Sequence, residues 1–194
     1  KEEDVWSVHF ADGQTIRARA VIYSAGAAHR RLGIDGEEDY IGKGVSYCAV
    51  CDGAFYRGKD AAVIGGGDTA LGDALYLSDL CDKVYLVHRR EEFRGSPSNV
   101  QRLKEKDNVE IITSAVPARI SGEQTVTALE LKDGRSLPVS GTFVAVGMQP
   151  QTESLRGIVE LDDTGYIAAG EDCVTSAAGF FAAGYVLTMA LGEF

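Results

Sequence analysis

The stretch 60–88 constrains the fold of this chain more than any other part of it. Residues 61–64, AAVI, predict a short buried strand, and residues 65–70, GGGDTA, predict a turn. Apolar residues then recur with helical spacing, and residues 83–88, KVYLVH, predict a second buried strand. A strand, a glycine turn, a helix and a strand form a βαβ unit, which requires a parallel sheet with a right-handed crossover.

The other elements are predicted from alternation, turns and caps. Residues 5–10 and two pieces within 14–26 predict a small antiparallel meander. A helix is predicted at 97–106, with Pro97 near its start and Ser96 as a candidate cap. The remaining expected elements are a strand at 108–113, a hairpin over 126–139 that turns at Asp133 and Gly134, and strands at 142–147, 165–169 and 179–184. The expected fold class is α/β, with a Rossmann-like parallel sheet and an antiparallel meander.

The glycine turn of the βαβ unit is a candidate phosphate-binding loop. Gly65-x-Gly67-x-x-Ala70 follows a predicted strand and opens a predicted helix. The first glycine permits the tight turn, the second lets the backbone approach a pyrophosphate, and the small third residue permits close packing of the helix on the strand. The pyrophosphate would bind free N–H groups at the helix N-terminus. A plain turn between strand and helix is the alternative, and the surrounding elements favour a dinucleotide.

Three arginines follow the second strand and indicate which dinucleotide is bound. Arg89 and Arg90 come directly after His88, and Arg94 lies one turn further on. An acidic residue at this place would bind the ribose hydroxyls of NADH, whereas arginines bind a 2′-phosphate through charge-assisted bonds. The alternative is a solvated basic turn that pairs with the two glutamates inside it. The sequence predicts NADPH as the nucleotide.

A Cys-x-x-Cys pair lies upstream of the nucleotide unit. Cys48 and Cys51 are three residues apart, which places them side by side on one turn of a helix, close enough for a disulfide. Asp52 follows directly and could exchange the proton that thiol–disulfide exchange moves. A zinc site would need a second pair of ligands, and the other cysteines and histidines form no spaced pair, so no metal is expected. Two structural thiols are the remaining alternative.

The neighbourhood of the cysteine pair favours redox chemistry. NADPH carries a hydride, which is two electrons, and the reduction of a disulfide also takes two electrons. Direct transfer of a hydride to sulfur is uncommon, and a flavin normally stands between the two. The sequence therefore also predicts FAD.

Charge and hydropathy exclude several classes of protein. The formal net charge of −10 disfavours binding to nucleic acids and to anionic membranes. No long apolar run predicts a transmembrane helix, and no signal peptide opens the chain. Four cysteines with one closely spaced pair suit a cytoplasmic protein better than a secreted one. The chain starts at Lys1 without an initiator methionine, so we expect a fragment or a processed piece.

Four motifs, in this order and spacing, resemble those of the low-molecular-weight thioredoxin reductases. They are YCAVCDG, IGGGDTA, HRREEFRG and VGMQPQT, and the resemblance extends over nearly the whole chain. It implies an NADPH-binding domain with the cysteine pair at 42–147, inserted into an FAD-binding domain of which 1–41 and 148–194 are parts. It also implies a thioredoxin-like protein disulfide as the substrate, and a homodimer.

The resemblance assigns roles to individual residues. Cys48 and Cys51 match the redox pair, with Cys51 facing the flavin and Cys48 attacking the protein substrate, and Asp52 matches the acid–base residue. The residues that match the pyrophosphate turn are Gly65, Gly66, Gly67, Asp68, Thr69 and Ala70, and those that match the 2′-phosphate cluster are His88, Arg89, Arg90 and Arg94. Gly26 and Gly184 match stretches of the FAD-binding domain, and Gly147 lies where the chain returns to it.

The chain departs from the family pattern in the part that concerns the flavin. The family begins with a strand, a GxGxxG turn and a helix that bind the FAD pyrophosphate, and no such turn opens this chain. Ser24-Ala25-Gly26 stands where the family usually has Thr before the glycine, and Tyr185 stands where it has a flavin-contacting Asp. Gly72 stands where it usually has Glu. We expect this chain by itself to bind FAD poorly.

Two functions of different classes are consistent with these features. The first is an enzyme that passes electrons from NADPH through FAD and the Cys48–Cys51 pair to a thioredoxin-like protein. The second is a non-catalytic NADPH-binding fragment that does not hold FAD. A peroxiredoxin-reducing relative is a third and weaker alternative, which differs from the first in its thiol partner.

Overall fold

The computed structural model describes residues 5–187, which fold into two compact units. The central unit is His29–Gly147, and the flanking unit consists of residues 5–28 and 148–187. Residues 29–41 belong to the central unit, although the sequence placed the boundary between domains after residue 41. Lys1, on which the expectation of a fragment rests, lies outside the described residues.

Short strands make up most of the secondary structure. The strands are, in chain order, β1 (Trp6–His9), β2 (Thr15–Ala18), β3 (Val21–Tyr23), β4 (Ala27–His29), β5 (Val45–Ser46), β6 (Asp60–Gly65), β7 (Lys83–Val87), β8 (Val109–Ile112), β9 (Pro117–Gly122), β10 (Val126–Leu131), β11 (Ser136–Pro138), β12 (Gly141–Ala145), β13 (Met148–Pro150) and β14 (Phe180–Ala182). The α-helices are α1 (Ala49–Asp52), α2 (Asp68–Ser78) and α3 (Pro97–Lys104), and 3₁₀ helices lie at Gly53–Tyr56 and Glu153–Leu155. At 11 residues, α2 is the longest helix of the described part, where no helix approaches the roughly 20 residues that a bilayer crossing takes.

The central unit is built on a parallel sheet of five strands in the order β5-β12-β6-β7-β8. The predicted βαβ unit is present as β6, α2 and β7, and the α/β fold class is confirmed. The chain moves outward from β6 to β7 and β8 and then returns to β12 on the other side of β6. The strand order therefore reverses between β6 and β12. Open α/β sheets bind ligands beyond the carboxyl ends of the strands at such a reversal.

Both faces of the middle strands are buried, which explains why their sequences are continuously apolar. On one face, Ala61 and Val63 of β6 pack with Leu71 and Leu77 of α2, and none of these four side chains is exposed. On the other face, the alternate residues of β6 pack under β9 and β10. Burial of one leucine side chain stabilises the folded state by about 1.5–3 kcal/mol. This packing on both faces holds β6 in place, and β6 ends at Gly65 on the carboxyl edge of the sheet.

A three-stranded antiparallel sheet, in the order β11-β10-β9, covers one face of the parallel sheet. The predicted hairpin is present as β10 and β11, and Gly134 in its turn has φ +89°. The sequence did not predict β9, because Pro117 begins it and its apolar residues do not alternate. Its register with β10 shifts at two places, which disrupts the alternation further.

The helix α3 begins at Pro97 and Ser96 is its cap residue, as predicted, although the Ser96 side chain makes no capping hydrogen bond. The Ser96 hydroxyl oxygen lies 2.9 Å from the hydroxyl oxygen of Ser98. The backbone N–H of Ser96 is bound to Oδ1 of Asp68 at 2.5 Å. Ser96 therefore anchors the start of α3 to the start of α2 through its main chain.

In the flanking unit, β1 and β2 form the predicted antiparallel hairpin. The third strand of the predicted meander is wrong in its pairing, because β3 pairs in parallel with β14, far along the chain. Tyr23 of β3 stacks on Phe180 of β14 with the ring centroids 6.2 Å apart, and Trp6 meets the same phenyl ring edge-on. This aromatic cluster favours the distant pairing over the local one.

The strand predicted at 165–169 is also wrong. Ile167 is fully buried, but it makes isolated bridges to Leu161 and Leu187 and belongs to no ladder. Oδ1 of Asp162 accepts backbone N–H groups of the following turn, which bends the chain just before this segment. The apolar pattern therefore reflects burial and not a strand.

Candidate functional site

Cys48 and Cys51 form a disulfide at the start of α1, with their Cα atoms 5.3 Å apart. Cys48 is the cap residue of this helix, and its Sγ accepts the backbone N–H of Cys51 at 3.2 Å. Cys51 is exposed, whereas Cys48 is half-buried. The disulfide is therefore accessible from solvent on the side of Cys51.

A buried serine joins Asp52 to the disulfide. Ser46, at the end of β5, donates its hydroxyl hydrogen to Oδ2 of Asp52 at 2.6 Å. The same hydroxyl oxygen accepts the backbone N–H of Cys48 at 3.1 Å. Asp52 is thereby held against the turn that carries both sulfurs, where it could exchange a proton. Sequence reasoning missed Ser46, because a single serine before a cysteine pair gives no signal of its own.

Large apolar side chains lie exposed around the disulfide. Val50 is 71% exposed and Phe55 is 73% exposed. Phe55 also lines an open groove of about 700 Å³, whose other side chains include Lys43, Lys59 and Tyr56. Burial raises the pKa of Tyr56, and the nearby Asp52 carboxylate raises it as well. An apolar surface beside an exposed disulfide suits a protein partner.

The glycine turn lies so close to the sheet and to His88 that two of its residues have no room for a side chain. Gly65 has φ +158°, and a Cβ there would lie 2.2 Å from the carbonyl oxygen of Ala145. A Cβ on Gly66 would lie 2.2 Å from the imidazole of His88. Ala70 is fully buried, and its Cβ would lie 2.7 Å from a Cβ on Gly65. The close packing of helix on strand therefore requires these small residues.

Gly67 differs from its neighbours because the space around it is open. It is the cap residue of α2, and a Cβ on it would meet no atom within 4 Å. The first intrahelical bond of α2 runs from Leu71 N–H to the Gly67 carbonyl, so the amides of Asp68 and Thr69 have no intrahelical acceptor. The Thr69 side chain is exposed. Open space beside Gly67, at the start of a helix whose first N–H groups have no intrahelical acceptor, fits the pyrophosphate of a dinucleotide.

The three arginines lie on an exposed loop after β7, residues 89–95, which we call the arginine loop. Arg89, Arg90 and Arg94 are exposed, and within residues 5–187 none of their side chains has an acidic partner. The alternative in which they pair with the glutamates of the loop is therefore not found. Their guanidinium groups are free to bind a phosphate.

His88, in contrast, is a buried packing residue. Its imidazole stacks on Phe93 with the ring centroids 5.0 Å apart and faces the backbone of Gly66. Burial lowers the pKa of His88; a hydrogen bond with the Glu92 carbonyl raises it, and the arginines of the loop lower it. The neutral ring therefore supports the glycine turn near pH 7. Contact between His88 and a 2′-phosphate stays a prediction.

A second network that the sequence did not predict lies just before the cysteine pair. The buried Glu37 accepts the backbone N–H groups of Leu32 at 3.0 Å and Gly33 at 2.8 Å. It also accepts the phenol hydrogen of Tyr47 at 2.9 Å. Burial and this hydrogen bond raise the pKa of Tyr47 to about 12. The network ties the segment that enters the central unit to the residue before Cys48.

The two remaining cysteines are free thiols. Cys81 is buried, and burial together with Asp60 and Asp82 raises its pKa to about 11, so the thiol stays protonated near pH 7. Cys173 is half-buried and has φ +62°. No group of three metal-binding side chains occurs within the part of the chain that the structure describes.

Gly26, Gly147 and Gly184 all have positive φ. A Cβ on Gly26 or Gly184 would meet no atom within 4 Å, and the Gly147 carbonyl accepts the N–H of Arg30 at 2.9 Å. Within residues 5–28 and 148–187 the flanking unit contains no α-helix, and its one 3₁₀ helix, Glu153–Leu155, is a single turn.

Comparison with known proteins places this combination in a family. Residues 1–192 match the family model of the pyridine nucleotide-disulphide oxidoreductases. The thioredoxin reductase of Mycolicibacterium smegmatis is 44% identical over 177 residues, which are 88% of this chain and 57% of that protein. The bifunctional thioredoxin reductase/thioredoxin of Mycobacterium leprae is 44% identical over 184 residues, 92% of this chain and 40% of that protein.

Solved structures show the same likeness. The crystal structure of Lactococcus lactis thioredoxin reductase has a TM-score of 0.82 and 33% identity, covering 100% of this chain and 65% of that one. The chain thus spans between 40% and 65% of the length of these three proteins. The resemblance to the low-molecular-weight thioredoxin reductases is confirmed, and the chain belongs to the pyridine nucleotide-disulphide oxidoreductase family.

Proposed function

We propose that this chain takes part in the NADPH-dependent reduction of a thioredoxin-like protein disulfide. The central unit holds both an exposed disulfide and a glycine turn that fits a dinucleotide. The arginine loop is the observation that carries the proposal. Guanidinium groups without acidic partners in the described chain, beside a pyrophosphate turn, distinguish NADPH from NADH.

In this proposal, NADPH binds across the carboxyl edge of the parallel sheet. The free amides at the start of α2 bind the pyrophosphate, and Arg89, Arg90 and Arg94 bind the 2′-phosphate. Gly66 packs on His88, which keeps the turn close to the sheet. When bound, a flavin would supply the transfer of two electrons from the hydride of NADPH to the disulfide.

The Cys48–Cys51 pair exchanges electrons with the partner protein. The thiolate of reduced Cys48 attacks a disulfide of the partner, forms a mixed disulfide, and one partner sulfur leaves and takes up a proton. The thiolate of Cys51 then attacks Cys48, which re-forms the intramolecular disulfide and releases the second partner sulfur. Asp52, held by Ser46, is placed to take the proton of a thiol and to return it to a leaving sulfur.

The partner would dock on the exposed apolar surface around the disulfide. Val50 lies between the two cysteines in the sequence, and Phe55 follows on the adjoining 3₁₀ helix. The groove that Phe55 lines carries Lys43 and Lys59 together with Asp60, so it offers charged groups of both signs to a partner. A protein with an exposed disulfide, such as a thioredoxin, fits a surface of this composition.

Nucleotide titrations test the proposal. In isothermal titration calorimetry the chain should bind NADPH about tenfold or more tightly than NADH, because charge-assisted hydrogen bonds contribute about 1.5–3 kcal/mol each. The double variant Arg89→Ala/Arg90→Ala should lose most of this difference while NADH binding changes little. Equal affinities of the wild-type chain for the two nucleotides would overturn the proposal.

A matched control removes the same charge elsewhere. Arg17 of β2 and Arg19 just after it are exposed. The variant Arg17→Ala/Arg19→Ala should bind NADPH as the wild-type chain does. A loss equal to that of the arginine-loop variant would mean that net charge, and not a local phosphate site, determines the affinity.

A non-catalytic NADPH-binding protein is the second candidate. One observation favours it, namely that residues 5–28 and 148–187 contain no α-helix whose N-terminus could bind an FAD pyrophosphate. Visible spectra separate the two candidates. The chain is incubated with FAD, the unbound FAD is removed, and the spectrum of the protein is then recorded. The enzyme predicts a yellow protein that NADPH bleaches without oxygen, and the second candidate predicts a colourless protein that still binds NADPH.

A further inference from the structure

A carboxylate lies at the place where the proposed function puts a pyrophosphate. Asp68 is the first residue of α2 and follows Gly67, the open end of the glycine turn. A carboxylate beside an anion site repels the ligand and weakens binding unless it has another task. The structure shows such a task, because Oδ1 of Asp68 accepts the backbone N–H of Ser96 at 2.5 Å.

The bond from Ser96 is one of three that fasten the end of the arginine loop to the glycine turn. The Gly66 carbonyl accepts the N–H of Arg94 at 2.8 Å and that of Gly95 at 3.2 Å. Gly95 lies so close that a Cβ on it would come within 2.8 Å of the Asp68 nitrogen. Three consecutive main-chain N–H groups therefore bind one turn of the nucleotide site.

The arginine side chains do not hold the loop themselves. In the described chain none of the three guanidinium groups has an acidic partner, so main-chain contacts determine where the loop lies. At the inner end of the loop, the Arg90 carbonyl accepts the N–H of Ser114 at 3.0 Å, and further along Phe93 stacks on the ring of His88. At the outer end, the Asp68 carboxylate is the one side chain that binds the main chain of Arg94, Gly95 or Ser96 within residues 5–187.

We propose that Asp68 is a positioning residue. It holds the arginine loop where its guanidinium groups can reach the 2′-phosphate, and so determines the preference for NADPH over NADH. The inference rests on the proposed function, since it assumes that NADPH binds at this turn. Asp68 acts through Ser96 and not by contact with the nucleotide. The repulsion that its charge adds acts on the pyrophosphate, which both nucleotides share, and does not change the choice between them.

Two pairs of variants separate the hydrogen bond from charge and from side-chain size. Ser96→Pro removes the N–H donor, and the backbone of Ser96, at φ −54° and ψ 125°, is compatible with proline. Ser96→Ala keeps the donor and is its control. Asp68→Ala removes the acceptor, whereas Asp68→Asn keeps an acceptor oxygen without the charge.

The measurement is the ratio of the dissociation constants for NADH and NADPH, with thermal unfolding as a check that each variant is folded. Asp68→Ala and Ser96→Pro should each lower the ratio by about tenfold, while Asp68→Asn and Ser96→Ala keep it. A general loss of structure would weaken the binding of both nucleotides alike and leave the ratio of their dissociation constants unchanged.

Two further results are decisive. If the wild-type chain prefers NADPH and both Asp68→Ala and Ser96→Pro keep that preference, the inference is overturned and the proposed function stands. If the wild-type chain binds the two nucleotides equally, the proposed function fails and the inference fails with it.

Discussion

Gly66 and Gly67 are neighbours, yet they lack a side chain for different reasons. A Cβ on Gly66 would collide with the ring of His88, whereas a Cβ on Gly67 would point into open space. Gly67 has φ −94° and ψ −179°, which an alanine adopts without strain. The first glycine is therefore required by the fold, and the second is required by the ligand that we propose.

Substitution with alanine should separate these two requirements. Gly66→Ala should lower the free energy of unfolding by about 1–3 kcal/mol, because the added methyl overpacks a filled site. Gly67→Ala should change the free energy of unfolding by less than about 0.5 kcal/mol. It should nevertheless weaken the binding of NADPH by about tenfold or more, because the methyl group blocks the approach of the pyrophosphate. Urea unfolding and calorimetric titration of both variants measure this. Unchanged NADPH affinity in Gly67→Ala would contradict a pyrophosphate at this turn.

Ser46 is a small residue with a specific expected effect on thiol chemistry. Ser46→Ala removes the hydrogen bond to Asp52 and leaves the N–H of Cys48 without its acceptor. Exchange of the reduced pair with a small disulfide such as dithionitrobenzoate should slow by about threefold to tenfold, with an altered pH profile. Ser46→Thr keeps a hydroxyl and should restore both. An unaltered pH profile in Ser46→Ala would show that Ser46 does not act through Asp52.

Among single residues, the structure bears directly on the cysteine pair, while contact of the arginines with a 2′-phosphate stays a prediction. The cysteine pair is present as a disulfide, and the alternative of a paired basic turn is not found for the arginines. The sequence could not predict that His88 is buried while Arg89 is exposed, because neighbouring residues on an irregular loop follow no periodic pattern of burial. Ser46 was missed for a related reason: its partners come from a different element.

Among the helices, α2 carries a half-buried carboxylate that lowers stability. Burial raises the pKa of Asp73 from 3.8 to about 6. The folded state therefore holds this proton more tightly than the unfolded state, so stability falls as the pH rises from about 4 to 6. The cost of the buried charge is present in full above that range and absent below it.

The variant Asp73→Asn should remove this cost. The free energy of unfolding should rise by about 1 kcal/mol at pH 7.5, a value reduced for the partial exposure of the side chain, and change little at pH 4. Urea unfolding at the two pH values measures the difference, and Asp107→Asn, at an exposed position, is the control. An equal gain at both pH values would mean that ionisation of Asp73 is not the cause.

Elements were predicted reliably where local pattern and packing agree. The βαβ unit has a glycine turn between a largely buried strand and a helix, and the structure contains it within a residue or two of the predicted bounds. The pairing of β3 with β14 could not be predicted, because it depends on contact between Tyr23 and Phe180, which are far apart in the chain. Residues 165–169 show the opposite error, where burial of Ile167 resembles a strand.

At the scale of the whole molecule, the chain combines two compact units, and the two proposed activities both belong to the central one. The nucleotide turn and the disulfide lie within His29–Gly147. Nucleotide binding and thiol exchange can therefore be measured on this chain without a flavin. The family match covers both units, while the chain spans 40% to 65% of the length of the three relatives compared.

Thiol transfer tests the central claim, that Cys48 and Cys51 are a redox pair and not a structural cross-link. The chain is reduced with dithiothreitol, freed of it, and mixed with oxidised thioredoxin, and all thiols are then alkylated and counted by mass spectrometry. The account predicts that the Cys48–Cys51 disulfide re-forms as thioredoxin gains two thiols. Cys48→Ser and Cys51→Ser each keep one thiol of the pair, and neither should convert thioredoxin to its dithiol form. Thioredoxin that stays oxidised while both cysteines of the chain stay reduced would contradict it.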